Sequence, residues 1–321
     1  MKLLLYWSVL SLWLGAHGLP GWPQGGTIVV GSAVQFDRDS WEANLAHPNA
    51  TGSNSIAGFD LSRPWPSMQI DGWHLAINVT SDIPDSQTMN PSNATGRTFT
   101  GTSIFLQAPE NLRTALSNQT AIDETTWKIC VVVIPNAPQE NVTAADDGSC
   151  TVMSSQCVAD LEQGYVDKFS RNQDCYGTPP PTPSSCGDAI NTGDFNVQQL
   201  PLASIGGKEI FVTASESHEL GDDAAAWDDA ALKSWPVLTI WGWNARANAS
   251  DDASPTVRLS CISARDVEPG SRVPVRHLQL DRDPAVLPWL RLLLPVSRRI
   301  LCYERLGLSC YNFGGEAMWG K

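Results

Sequence analysis

Thr126-Trp-Lys-Ile-Cys-Val-Val-Val-Ile-Pro135 is the stretch whose reading decides the fold. From Ile129 to Ile134 it is apolar on both faces and mostly β-branched, the pattern of an interior strand. Pro135 ends it, because proline has no N–H to give to a sheet ladder. The chain then leaves the sheet for a polar excursion, 136–196, that carries Cys150, Cys157, Cys175 and Cys186. With Cys130 counted, five of the eight cysteines fall between Trp127 and Cys186, so this strand and its excursion form the stapled centre of the chain.

The segments around it read as partners for that strand. Thr27 to Phe36 is strand-like, and 37–60 is expected to be mostly loop, with a Gly/Ser/Asn cluster. Met68 to Val79 alternates cleanly, with Trp73, Leu75, Ile77 and Val79 on one face and His74, Ala76 and Asn78 on the other. An N-glycan on Asn78 would place that second face in water. A turn-rich loop over 82–97 leads to a strand over 98–107 and a short helix over 109–116. Further strands are expected over 209–213, 236–243 and 256–262. The last two read as a hairpin whose long loop carries Asn248, with Val257, Leu259 and Cys261 on one face. Successive strands without long amphipathic helices between them predict an antiparallel β-sandwich rather than βαβ units.

Within the excursion, Ser154 and Ser155 precede Cys157 to Phe169, where Val158, Leu161, Tyr165 and Phe169 recur at helical spacing. Thr178-Pro-Pro-Pro-Thr-Pro183, bracketed by Cys175 and Cys186, reads as a rigid extended bend. Six cysteines up to Ala264 allow 15 pairings. Cys130 and Cys261, each in a strand, are expected to be joined across the core. Closing a loop of that length stabilises by about 4–5 kcal/mol on the chain-entropy picture.

The compartment is read from the N-terminus and the acceptor sites. Residues 1–18 have the form of a secretory signal peptide: basic Met1-Lys2, an apolar core from Leu3 to Leu14, and Ala16-His17-Gly18 at the cleavage position. Six N-x-Ser/Thr acceptors follow, at Asn49, Asn78, Asn93, Asn118, Asn141 and Asn248. In an oxidising compartment the cysteines Cys130, Cys150, Cys157, Cys175, Cys186 and Cys261 are expected as disulfides rather than metal ligands, since no C-x2-C spacing occurs. No metal and no cofactor is expected.

Up to Ala264 the chain holds 12 Lys and Arg against 28 Asp and Glu; from Arg265 onward it holds 9 against 6. The acidic body argues against nucleic acid or anionic lipid as partners. Residues 265–321 carry eight of the fifteen arginines and three prolines within an apolar run that charges interrupt, so that run is no transmembrane segment. This tail reads as foreign to the fold, the product of a translated intron or frameshift. Its alternative is a real basic segment with Cys302 paired to Cys310.

Residues for chemistry are sparse. The body 19–264 holds only His47, His74 and His218, and no Gly-x-Ser-x-Gly, His-Glu-x-x-His or phosphate-loop motif. Glu216, Glu219, Asp222, Asp223, Asp228 and Asp229 form the densest run of carboxylates. A glycosidase needs two held about 5–10 Å apart in a cleft, whereas a run in one loop is ordinarily a solvated surface. If cleavage fell after Ala16, His17 would become an N-terminal histidine, which with His74 or His218 has the makings of a copper-binding histidine brace. Trp241 and Trp243 share a face at i, i+2. Exposed they would form a sugar-stacking platform; buried, as tryptophans in strands commonly are, they are core along with Trp73 and Trp127.

Trp127-Lys-Ile-Cys130, Asp146-Asp-Gly-Ser-Cys150, Cys157-Val-Ala-Asp-Leu161 and Trp235-Pro-Val-Leu-Thr-Ile-Trp241 leading to Cys261 resemble uncharacterised secreted proteins of filamentous ascomycetes. The resemblance covers about half the chain and implies a compartment, often the cell wall, rather than a reaction. The expectation is therefore a signal peptide over 1–18, a β-sandwich over 19–264 with a disulfide-stapled helical insert at 136–196, and the Arg-rich tail 265–321. It is expected to act as a non-enzymatic extracellular or cell-wall protein, with wall polysaccharide as its partner. A polysaccharide-active enzyme is the alternative.

Overall fold

The computed structural model describes residues 23–24, 27–30, 34–91, 95–115, 125–135, 148–190, 195–202, 205, 209–221, 224–250 and 253–275. Residues 1–18, expected as a signal peptide and including His17, lie outside them, as do Asn93, Asn118, Asn141, Asp222, Asp223, Cys302, Cys310 and the tail beyond Val275.

The decisive stretch forms β7 (Trp127–Val133), and it is interior. It lies between β8 (Asn196–Gln199) and β11 (Trp235–Trp243), and β12 (Thr256–Ile262) completes a four-stranded antiparallel sheet in the order β12-β11-β7-β8. Every residue of β11 is buried. That uniform burial, without alternation, follows from layers on both faces of the sheet.

On one face, Ile129, Val131, Val133, Val237 and Trp241 pack against Trp73, Leu75, Ile77, Val79, Ile104 and Leu106 of a second sheet. On the other, Cys130, Val132, Leu238, Ile240, Val257 and Cys261 pack against Cys157, Leu161, Tyr165 and Phe169 of the helix Ser155–Asn172. The helix begins where Ser154 caps it by accepting from the Cys157 N–H at 3.1 Å. It ends at Gln173, in the left-handed conformation. The arrangement is an antiparallel β-sandwich with a helical layer over one sheet.

The second sheet runs β10 (His218–Glu219), β6 (Arg97–Gln107), β5 (Gln69–Pro84), β4 (Ala50–Phe59), β13 (Asp266–Val267), with β9 (Glu209–Ala214) also pairing β6. The alternation in β5 falls as its sequence dictates, with Trp73, Leu75, Ile77 and Val79 fully inside. Trp241 bridges the two sheets, edge-on to Trp73 at 4.7 Å between ring centroids. The hairpin of β11 and β12 and the short helix, Glu110–Ala115, also form as expected.

Several expectations are corrected. The stretch 37–60 is not mostly loop. Asp37 caps a helix, Arg38–Leu45, by accepting from the Ser40 N–H, and Ala50–Phe59 is β4. Its Gly, Ser and Asn have poor strand propensity, and the long ladder with β5, from Ala50↔Val79 to Phe59↔Gln69, overrides that.

The outer face at Asn78 is not open water either. The helix Arg38–Leu45 crosses it: Asn78 Nδ2 donates to the Leu45 carbonyl at 3.1 Å, and Trp41 Nε1 donates to Ser103 Oγ at 3.2 Å. A small three-stranded sheet of β1 (Pro23–Gln24), β2 (Thr27–Val30) and β3 (Val34–Asp37) lies N-terminal to this helix. Ile28 and Phe36 share a third apolar cluster with Trp41, Leu45, Ile83 and Phe99.

Cys130 does not pair with Cys261. The disulfides are Cys130–Cys175, Cys150–Cys261 and Cys157–Cys186. The register gives the reason. Cys130 sits opposite Ile240 and Cys261 opposite Pro236, with β11 lying between their strands. Two strand spacings of about 4.8 Å and four residues of about 3.3 Å rise separate them, far beyond the roughly 7 Å Cα limit of a disulfide. All six cysteines of the body are thus bonded, and two of the three bridges staple the helical layer.

The body also continues past Ala264. Asp266–Val267 adds β13 to the edge of β4, and one compact unit extends to Val275. Residues 265–275 therefore belong to the fold and not to a foreign tail.

Candidate functional site

Where β4 leaves the second sheet, Asp60 opens a turn. Its Oδ1 accepts from the Ser62 N–H at 3.1 Å and from Ser62 Oγ at 2.6 Å, and its Oδ2 lies 3.2 Å from Arg63 Nε. This is the Asx geometry that Asp adopts readily. The chain returns through Trp65-Pro66, a cis peptide, into β5, where Ile70, Asp71 and Gly72 follow. Gly72 has φ +92°, and a Cβ there would press on Pro109 at 3.2 Å. The missing side chain lets the helix Glu110–Ala115 stand close beside β5.

Between these elements opens a pocket of roughly 160 Å³ lined by Asp60, Ser62, Ile70, Asp71, Asn111, Leu112 and Ala115. Its chemistry is mixed. Carboxylate, hydroxyl and amide side chains share the lining with Ile70, Ala115 and Leu112, the last of them buried. Asp71 is exposed. A lining that mixes hydrogen-bonding and apolar side chains can meet both the hydroxyls and the C–H groups of a polyhydroxylated ring.

None of these residues stands out in the sequence. The signals that exist, Asp60-x-Ser62 and Asp71-Gly72, are local turn signatures, and only the tertiary fold brings them to Asn111.

The residues singled out in the sequence go elsewhere. Trp241 is fully buried and Trp243 is 3% exposed, so neither stacks on a sugar. Trp243 packs instead on Trp65 at 4.5 Å and Phe169 at 5.3 Å. The described members of the acidic run are spread over separate elements. Glu216 is exposed just before β10, Glu219 is exposed within it, and Asp229 is exposed on the helix Ala224–Leu232. Asp228 is buried and bonded to Arg272.

His74 and His218 sit at opposite ends of β6, registered against Gln107 and Thr98. Nine residues of strand hold them about 30 Å apart. His74 Nδ1 lies 3.4 Å from Ser55 Oγ, and His218 Nδ1 lies 3.3 Å from Thr98 Oγ1. Among the described residues no cluster of three or more His, Cys, Asp or Glu is placed to hold a metal ion. No helix among them is long and apolar enough to cross a membrane.

Of the three described N-x-Ser/Thr asparagines, Asn248 is exposed, in the loop between β11 and β12. Asn49 and Asn78 are half-buried. Asn49 Oδ1 accepts from the Ser81 N–H at 2.8 Å, and its Nδ2 donates to Ser271 Oγ at 3.2 Å.

Among the described residues three titratable groups have displaced affinities for protons, Tyr165, Lys168 and Lys233, the last lowered by burial against the opposing pull of Asp229. Burial pushes the Tyr165 phenol well above its usual range. Burial also lowers Lys168, against the opposing pull of Asp174. The Lys168 ammonium donates to the carbonyls of Cys175 at 3.2 Å and Gly177 at 3.4 Å, so it clamps the loop after the helix rather than serving an open cleft.

The fold and pocket define a disulfide-stapled antiparallel β-sandwich with a small polar pocket at one end of its second sheet. No protein-family model, curated protein or solved structure matches the chain.

Proposed function

We propose that this is a secreted, N-glycosylated extracellular or cell-wall protein that holds polysaccharide without turning it over. The observation that carries the reading is the pocket between Asp60, Asp71 and Asn111, whose lining mixes these polar groups with Ile70, Leu112 and Ala115. Three disulfides within one body support an oxidising compartment. The resemblance to secreted ascomycete proteins supports a wall setting. A binding role is favoured over catalysis because Asp60 is engaged by Ser62 and Arg63, while the buried Asp228 is engaged by Arg272.

The test is retention on insoluble chitin, β-glucan and cellulose, with analysis of soluble products. The expected result is retention on one of them with no sugar released. Asp71→Asn and Asn111→Ala should each weaken retention about tenfold, the worth of one hydrogen bond to a charged or well-placed partner, with unchanged thermal stability. Released oligosaccharides would instead make it an enzyme, and no retention on any of the three would remove the binding role.

A further inference from the structure

The stretch from Thr178 to Ser184 shows a periodicity of three. Thr178, Pro181 and Ser184 are exposed, while Pro179, Pro180, Thr182 and Pro183 are half-buried. Three residues per turn is the repeat of a polyproline II helix, and Pro183, with φ −61° and ψ 140°, has its dihedrals. One edge of this helix rests on the protein. Pro180 lies against Gly164 of the helix Ser155–Asn172, where a Cβ would stand 3.3 Å from it.

Both ends of the loop are fastened. Cys175 is bonded to Cys130, Cys186 is bonded to Cys157, and the Cys186 N–H donates to the Pro183 carbonyl at 3.0 Å. The hydroxyls in the loop are thereby sorted. Ser185 Oγ donates to Asp160 Oδ2 at 2.6 Å. Thr182 is half-buried, whereas Thr178 and Ser184 project outward.

We propose that Thr178 and Ser184 are O-glycosylation sites. Thr178 opens the extended, proline-rich stretch 178–183, which cannot fold back into helix or sheet, and Ser184 follows it as the exposed first residue of the short 3-10 helix Ser184–Ala189, so both acceptor oxygens are accessible to Ser/Thr glycosyl transfer. In the transfer, the Oγ1 of Thr178 or the Oγ of Ser184 forms a bond to the anomeric carbon of a glycosyl phosphate donor. The anomeric C–O bond to phosphate breaks, and the hydroxyl proton leaves with the phosphate. The staples hold the edge in place, so transfer to the folded chain discriminates Thr178 and Ser184 from Thr182 and Ser185. The proposal rests on the secretory reading above.

The experiment expresses the full chain in a secreting fungal host and recovers it from the medium. Glycopeptides are then mapped by electron-transfer fragmentation, with Asn248 as the compartment control. Hexose is expected on Thr178 and Ser184 and absent from Thr182 and Ser185. Thr178→Ala and Ser184→Ala should each remove one site's mass without moving the melting temperature. A bare loop on protein that carries a glycan at Asn248 overturns this inference and leaves the compartment standing. Equal occupancy of Thr182 and Ser185 overturns the sorting by the fold. Protein missing from the medium and bare at Asn248 sinks both readings together.

Discussion

Asp228 and Arg272 form an ion pair at 2.6 Å, with the carboxylate side chain 3% exposed, eight residues past the expected end of the body at Ala264. The same carboxylate accepts from the Val275 N–H at 2.9 Å, and Trp227 Nε1 donates to the Arg272 carbonyl at 2.9 Å. With β13 on β4, and Ser271 on Asn49, these contacts bind residues 265–275 across the second sheet and the helix Ala224–Leu232.

That strap predicts where the chain can be cut. A chain ending at Val275 should melt as cooperatively as the full-length protein. One ending at Ala264 should melt about 10 °C lower, since it strips the Arg272 guanidinium and the Val275 N–H from a buried carboxylate at a cost of roughly 3–5 kcal/mol. Equal melting temperatures would return the boundary to Ala264.

Gly242 lies beneath the ring of Phe169, where a Cβ would stand 2.2 Å from the nearest ring carbon. Gly242→Ala should therefore destabilise by about 2–3 kcal/mol through overpacking. Adding Phe169→Leu should restore part of that loss, because the smaller side chain vacates the space. Denaturant melts of the single and double variants measure the coupling, and strictly additive losses would show that the two residues do not share this contact.

The cystine pattern predicts peptides that travel together. A non-reducing digest should link Cys150 to Cys261 and Cys130 to Cys175. Cys150→Ser with Cys261→Ser should cost about 4 kcal/mol, because that bridge spans 111 residues. A peptide joining Cys130 to Cys261 would contradict the sheet register itself.

Tyr165 and Lys168 predict opposite pH responses. The folded pKa of Lys168 is lowered, so between that value and the unfolded value the unfolded chain holds more protons. Stability there rises with pH, and Lys168→Met should flatten the rise. The folded pKa of Tyr165 is raised, so above about pH 10 the unfolded phenol ionises first and stability falls. The Tyr165 hydroxyl is buried with no hydrogen-bond partner among the described residues. Tyr165→Phe should therefore stabilise by about 1 kcal/mol and remove the alkaline loss. Thermal melts from pH 7 to 11 give both slopes.

Much of the architecture is legible in the sequence. The apolar run at Ile129–Ile134, the alternation at Trp73–Val79 and the helical spacing from Cys157 to Phe169 each announce their element. Burial periodicity is written within a few residues of chain. β4 was not legible, because its Gly, Ser and Asn residues become a strand only by pairing with β5. The pocket was illegible for a related reason: Asp60 and Asp71 flank a turn, and Asn111 arrives from a helix some forty residues downstream.

By itself, then, the sequence determined which segments bury one face and which bury two, and that the central strand is interior, since hydrophobic spacing is local. Tertiary structure alone decided which cysteine meets which, that a helix covers the Asn78 face, and that residues 265–275 close the body. Each of these depends on strand register and on which layer lies over which, and such non-local geometry leaves no trace in the spacing of neighbouring residues.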